Sequence, residues 1–224
     1  MKLARIVVVA LACVAWAQPR AGLAQAGAAA TAAATAAATA SAAAPLAGAA
    51  LLAALRDGGY VLYLRHTSTD FGENDTQMTD YANCATQRNL TDGGRAEARA
   101  IGAALRALAI PVGRVLASPY CRTLETGRLV FGTATPSPAV RGGPARPDNP
   151  DRYAELRALL GTPVPRGTNV AIASHGNPFY GVAGPPHLAE GEMAVVEPLG
   201  DSRFRIVARV RKDDWEALQR QGAP

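Results

Sequence analysis

The chain has 224 residues, 49% of them hydrophobic and 18% charged, with 23 Lys and Arg against 18 Asp and Glu for a formal charge of +5. That length suffices for one domain with a sizeable core. The charge excess is mild, and nucleic-acid binding would need basic residues clustered on one face, so no nucleic-acid partner is expected.

Residues 1–26 read as a secretory signal peptide. Met1-Lys2-Leu3-Ala4-Arg5 is a basic start, Ile6 to Ala17 is an apolar run, and Ala15-Trp16-Ala17 and Ala24-Gln25-Ala26 are candidate cleavage sites. The run is too short for a comfortable membrane span. No stable span is therefore expected after cleavage, and the expected location is periplasmic or secreted. Removing Lys2, Arg5 and Arg20 with no acid lowers the charge by three, from +5 to +2. Residues 27–44 are nearly pure Ala and Thr, a low-complexity tether whose side chains are too small to build a core. Residues 45–224 are the expected folded domain.

Leu46, Leu51, Leu52 and Leu55 have the spacing of one helix face, stopped by Gly58-Gly59. Tyr60 to Leu64 reads as a buried strand. Ser68 to Arg88 is polar and without period, a loop whose length suggests a functional role. Thr91 opens a helix with Ala98, Ile101, Leu105 and Leu108 along one face. Val115 to Ala117 is a short strand, and Pro119 suits the first turn of a helix carrying Arg122 and Thr126. Thr133 to Asp151, rich in Pro and Gly, reads as loop. Tyr153 to Leu160 gives a short helix and Val170 to Ala173 a third clear strand. Ala194 to Val196 and Phe204 to Val210 flank a hairpin at Gly200-Asp201, and Asp213 to Arg220 closes with a polar helix. Strands alternating with helices predict a three-layer α/β/α sandwich with a mostly parallel central sheet.

Three short stretches begin where apolar runs stop: Leu64-Arg65-His66-Thr67, Ser118-Pro119-Tyr120-Cys121-Arg122-Thr123 and Ser174-His175-Gly176-Asn177. In a parallel sheet the carboxyl ends of strands are where ligands collect. Two histidines and two arginines delivered to one edge suit a small dianion. A phosphoryl group in flight spreads charge over three oxygens, so its transfer is catalysed mainly by positioning and electrostatics. Arg65 and Arg122 can supply paired hydrogen bonds. One neutral imidazole can attack, and the other can hold an oxygen. Arg88, Asn89 and Asn177 are candidate substrate-binding residues. After signal cleavage Cys84 and Cys121 remain, an even pair that in an oxidising compartment is a disulfide candidate, against the alternative of two buried thiols. A bridge would staple the long loop beside Arg122 and contribute roughly 4 kcal/mol in the chain-entropy model.

With these residues in order, the sequence resembles the histidine phosphatase superfamily, the phosphoglycerate-mutase-like fold. Arg65-His66 is similar to its Arg-His-Gly signature, and Leu90-Thr91-Asp92-Gly93-Gly94 to its helix-opening Leu-Thr-x-x-Gly. Ser118-Pro119 with Arg122 resembles its second arginine motif, and Ser174-His175-Gly176-Asn177 its second histidine. The resemblance implies that His66 is the nucleophile and is phosphorylated, that Arg65, Arg122 and His175 hold the phosphate, and that no metal and no cofactor is needed.

Three departures accompany it. Thr67 stands where the family usually has Gly. The helix after His175 is interrupted by Pro178, Gly181 and Gly184-Pro185-Pro186, which predicts a short, open side to the pocket. Many members place a glutamate proton donor about two dozen residues beyond the second arginine, but here Asp148 is the only acid from Ala139 to Pro150. Glu192 and Asp70 are the alternative donors, with Glu192 preferred. The expected function is metal-independent hydrolysis of phosphomonoesters through a phosphohistidine in the cell envelope, on a small phosphorylated substrate such as an envelope sugar phosphate. A phosphohistidine or acyl-phosphate phosphatase, and a phosphate-binding module without turnover, are the alternatives.

Overall fold

Val61-Leu62-Tyr63-Leu64 is apolar at every position, a pattern suited to a strand covered on both faces. In the computed structural model, which describes residues 44–142 and 151–222, these four residues are buried in strand β1 (Val61–Arg65) at the interior of the sheet. The expected signal peptide, most of the tether and Asp148 lie outside the described residues. Among the described residues no helix is long and apolar enough to cross a membrane.

Helix α1 (Gly48–Asp57) precedes β1, and α2 (Asp92–Ala107) leads to β2 (Val112–Ala117). Then come α3 (Cys121–Phe131), β3 (Thr135–Pro136), α4 (Ala154–Gly161), β4 (Asn169–Ser174) and α5 (Gly176–Ala183). The chain ends with β5 (Met193–Gly200), β6 (Arg203–Val210) and α6 (Trp215–Gly222). The six strands lie in the order β3-β2-β4-β1-β5-β6. The first four are mutually parallel, and β5 and β6 add an antiparallel edge.

Period-2 alternation sends Leu62 and Leu64 to one face and Val61 and Tyr63 to the other. The first face packs on Leu51, Leu52 and Leu55 of α1, Ile101 and Leu105 of α2, Val130 of α3 and Trp215 of α6. The second packs on Leu156 and Leu160 of α4 and Phe179 of α5. The result is the three-layer sandwich.

Some elements differ from the sequence reading. β3 lies inside the stretch expected to be loop; two residues pair with the end of β2, and Pro136 is tolerated because the strand is an edge. The β5–β6 turn falls on Asp201 and Ser202, both at positive φ (51° and 59°), one place later than expected. That left-handed pair matches the right-handed twist of the strands it joins. α5 is short, as Pro178 and Gly184 suggest: proline fits the first turn, where amide donors have no helical partner, and Gly184 ends the helix at φ 75°.

Candidate active site

Strand register brings the three stretches together. Arg65 of β1 pairs with Ser174 of β4, and Ala117 of β2 pairs with Ala173. Pairing continues one residue past the strands: His66 N–H donates to Ser174 O and Ser118 N–H to Ala173 O, both at 2.9 Å. His66, Ser118 and His175 thus leave the same edge of three adjacent strands. His66 and His175 border a cavity of about 420 Å³ lined also by Arg65, Arg88, Tyr120 and Arg122, with Glu73, Asn74, Asp75, Gly176 and Asn177 completing the wall.

The His66 ring is buried, and its Nδ1 lies 3.0 Å from Thr67 O. A carbonyl can accept but not donate, so Nδ1 carries the proton and Nε2 keeps its lone pair. Burial, and then the positive field of Arg122, Arg65 and Arg88, pulls the ring down to about 3, against some support from the Thr67 carbonyl. His66 is therefore a neutral base at neutral pH. Thr67 serves as the acceptor without being glycine, so the departure from the family pattern removes nothing from this arrangement. The backbone behind it is fixed by Gly94: a Cβ there would lie 2.0 Å from Ser68 O, so the glycine lets α2 press against the chain that follows His66. Thr91 caps that helix by accepting from Gly94 N–H at 2.9 Å.

His175 lies with its ring centroid 5.4 Å from that of His66. Its Nε2 is 2.8 Å from Ser118 Oγ, which leaves Nδ1 as the ring nitrogen for a ligand. Tyr63 Oη–H donates to His175 O at 2.8 Å; burial raises this phenol far above its ordinary range, so it remains a donor. Burial likewise lowers His175 well below the ordinary histidine value, with His66 and the three arginines adding to the effect. Gly176, the first residue of α5, permits close approach of Arg65, whose Nη1 would sit 3.3 Å from a Cβ placed there.

The arginines are fixed by part of their forks. Arg122 Nη1 and Nη2 donate to Asp75 Oδ1 and Oδ2 at 2.9 and 3.0 Å, and Nη1 donates again to Arg88 O at 3.1 Å. Arg65 Nη1 donates to Leu188 O at 2.7 Å, and Nη2 is 3.5 Å from Glu190 Oε1. Arg65, Arg88 and Arg122 all have a buried Nε–H with no acceptor in the protein. Three unpaired donors on cations around one cavity form a receptor for an anion with several oxygens. Among the described residues no three His, Cys, Asp or Glu side chains are grouped as metal ligands.

The long loop is ordered by its own polar groups. Its base closes through the Thr69–Leu90 bridge and Thr91 N–H to Ser68 O at 3.1 Å. Cys84 and Cys121 are joined by a disulfide, and Gln87 Oε1 accepts from Cys121 N–H at 2.9 Å. These ties hold the loop against the start of α3 and deliver Arg88 and Asp75 to the cavity.

Three of the residues read from the sequence lie elsewhere. Asn89 turns away from the cavity; its Nδ2 donates to Gln87 O and Cys84 O at 2.7 and 2.9 Å, so it shapes the loop and does not line the site. Glu192, just before β5, is buried against β6: Oε1 accepts from Arg209 Nε and Oε2 from Ala189 N–H, both at 2.7 Å, and it is absent from the cavity wall. Asp70 is exposed and closes a local turn by accepting from Gly72 N–H. The carboxylates beside the site are instead Glu73 and Asp75, on the cavity wall, and Glu190. Glu190 Oε1 lies 3.8 Å from His66 Nδ1 and accepts from Thr69 Oγ1 at 2.8 Å. Cross-strand charge matching would have signalled that Glu192 belongs to Arg209. No periodic or motif signal singles out Asp75.

No family model and no curated protein matches this sequence. Among solved structures, a mycobacterial glucosyl-3-phosphoglycerate phosphatase complexed with inorganic phosphate superposes with a TM-score of 0.51 at 13% identity, covering 69% of this chain and 99% of its own. A structure described as mycobacterial hydrolase 1 gives 0.50 at 13% identity, covering 68% and 100%. A protein histidine phosphatase complexed with tungstate gives 0.49 at 20%, covering 69% and 98%. The chain has the phosphoglycerate-mutase-like fold found in the histidine phosphatase superfamily.

Proposed function

We propose that this protein is a metal-independent phosphatase that hydrolyses phosphomonoesters through a phosphohistidine on His66, and that it works in the cell envelope. One observation carries the reading: a neutral His66, its Nδ1 committed to Thr67 O, faces a cavity where three arginines have unpaired Nε–H donors. Nε2 attacks phosphorus while Arg65, Arg88, Arg122 and His175 hold the equatorial oxygens; water then attacks the phosphohistidine and releases phosphate. Asn177, exposed at the start of α5 and on the cavity wall, is placed to meet the rest of the substrate. The glucosyl-3-phosphoglycerate phosphatase of the same fold supports a phosphorylated sugar as substrate class. Export is supported by the signal-like residues 1–26 and by a disulfide, which persists in oxidising compartments. A module that only bound phosphate would need arginines but not a histidine with its lone pair directed at the ligand.

The test is hydrolysis of p-nitrophenyl phosphate in EDTA by wild type and His66→Ala. Activity that survives EDTA and vanishes with His66 supports the mechanism. Equal rates in the two proteins would discard the phosphohistidine, and a folded but inactive wild type would favour the binding module.

A further inference from the structure

Cleaving an unactivated ester requires a proton for the departing alkoxide. Glu190 lies on the Nδ1 edge of His66, the side of the ring away from the attacking Nε2. In-line displacement sends the leaving oxygen away from Nε2, on the opposite side of phosphorus and toward the cavity mouth. Two carboxylates lie on that wall: Glu73 is exposed and its Oε2 accepts from Asn89, whereas Asp75 is 29% exposed and bonded to Arg122, above a floor where His66 is only 2% exposed.

The Arg122 guanidinium has five N–H donors. Its end is occupied by Asp75, and the second Nη1 proton by Arg88 O. What remains is the side formed by Nε–H and the outer Nη2 proton. This is a second bidentate face, and its Nε is buried without an acceptor. One guanidinium can thus hold Asp75 on its end and a phosphate on its side without displacing either. Resting on the phosphatase reading, we propose that Asp75 is the acid–base residue of the reaction, protonating the leaving group and then deprotonating the attacking water.

In the first step the Nε2–P bond forms as the P–O ester bond breaks, and the Asp75 proton moves to the leaving oxygen to give the alcohol. In the second, the water oxygen bonds phosphorus as N–P breaks, and the water's proton returns to Asp75. A monoanionic ester carries the first proton in, since the second ionisation of a phosphate lies near pH 6. In the free protein, burial raises the Asp75 carboxyl, but the bonds from Arg122 and Arg88 N–H outweigh it and hold it below the usual range. A phosphate sharing Arg122 places a second anion beside it and favours uptake of that proton.

The experiment compares Asp75→Asn with wild type on an alkyl phosphate, glycerol 3-phosphate, and on p-nitrophenyl phosphate, whose leaving group needs no acid. Asp75→Asn is expected to lower kcat on the alkyl ester about 100- to 1,000-fold and on the aryl ester by less than about tenfold. Asp75→Glu should recover part of the alkyl activity, and Asp70→Asn should change neither. Equal loss on both esters, or no loss on the alkyl ester, would overturn the assignment. If wild-type activity does not depend on His66, the phosphatase reading itself fails; the leaving-group contrast tests Asp75 separately.

Discussion

The two ends of β4 treat buried polar groups in opposite ways. At its start Asn169 is fully buried and wholly satisfied: Nδ2 donates to Leu55 O and Pro111 O at 2.8 Å, and Oδ1 accepts from Tyr60 N–H at 3.2 Å. It ties α1, β1 and the chain before β2 to one side chain. At its finish, beside Ser174 and His175, Arg65, Arg88 and Arg122 have buried Nε–H groups with no acceptor. An unmade buried hydrogen bond costs about 1–3 kcal/mol, and among the described residues the one other such side-chain atom is the Trp215 indole N–H in the core, so three charged donors left this way around one cavity mark a place for a ligand. Satisfied polarity at the first end locks the sheet; unsatisfied polarity at the other identifies what the protein has still to bind.

Two substitutions separate those roles. Arg122→Lys keeps the charge but loses the planar fork and the Nε–H, and should lower kcat/KM by about 100- to 1,000-fold, as for loss of one transition-state donor. Its melting temperature should change little. Asn169→Ala strands Leu55 O and the Tyr60 amide, while Pro111 O keeps the backbone N–H of residue 169, and should cost roughly 3 kcal/mol of stability while leaving kcat/KM of the folded protein near wild type. Steady-state kinetics paired with urea unfolding reads both. Similar losses of activity and stability in each variant would erase the distinction between the ends.

The unsatisfied end also has a pH signature. His66 is lowered to about 3 and His175 well below its ordinary value, by burial first and then by neighbouring positive charge. An unfolded histidine titrates near 6.5. Between pH 6.5 and 3 the unfolded chain therefore binds more protons, and stability falls as pH falls. Each ring contributes up to about 1.4 kcal/mol per pH unit in that window. Asp75 is depressed too, but its contribution is lost only as pH drops below about 4. Urea unfolding at pH 7 and 5 thus isolates the imidazoles. His66→Asn should flatten the slope, and inorganic phosphate, by accepting from the rings, should do so as well. A wild-type slope unaffected by either would show that these histidines are not held neutral by the site.

Strands β1, β2 and β4 were legible because apolar runs of three to five residues have few other places to go, and the stretches that follow them carry Arg65, His66, Arg122 and His175. The layers followed from period-2 alternation in β1 and helical spacing in α1 and α2. β3 was not legible, since two residues containing a proline become strand only because β2 presents an open edge. Asp75 lies in a loop whose shape depends on long-range ties, among them the disulfide and the Gln87 contact, and local sequence does not specify where such a loop sends one carboxylate. Glu192 was misplaced because position before a strand says nothing of which face it takes; the β5–β6 pairing brings Arg209 to it.

Glu192 and Asp75 extend the comparison to two carboxylates, each paired with an arginine. Arg209 is spent on the fold: besides Glu192 it donates to Pro186 O and His187 O, pinning the turn before β5 to β6. Arg122 keeps a free face toward a cavity. Glu192→Gln retains one acceptor and the side-chain volume, so it should cost about 1 kcal/mol of stability. Its kcat should stay within about twofold of wild type on alkyl and aryl phosphates alike, because no oxygen of Glu192 reaches the cavity. A loss confined to the alkyl ester would move the proton donor from Asp75 to Glu192, and would mean that the turn carrying Glu192 opens toward the site when substrate binds. The contrast between these two acids tests whether the free face of an arginine, rather than the presence of an ion pair, distinguishes chemistry from cohesion in this fold.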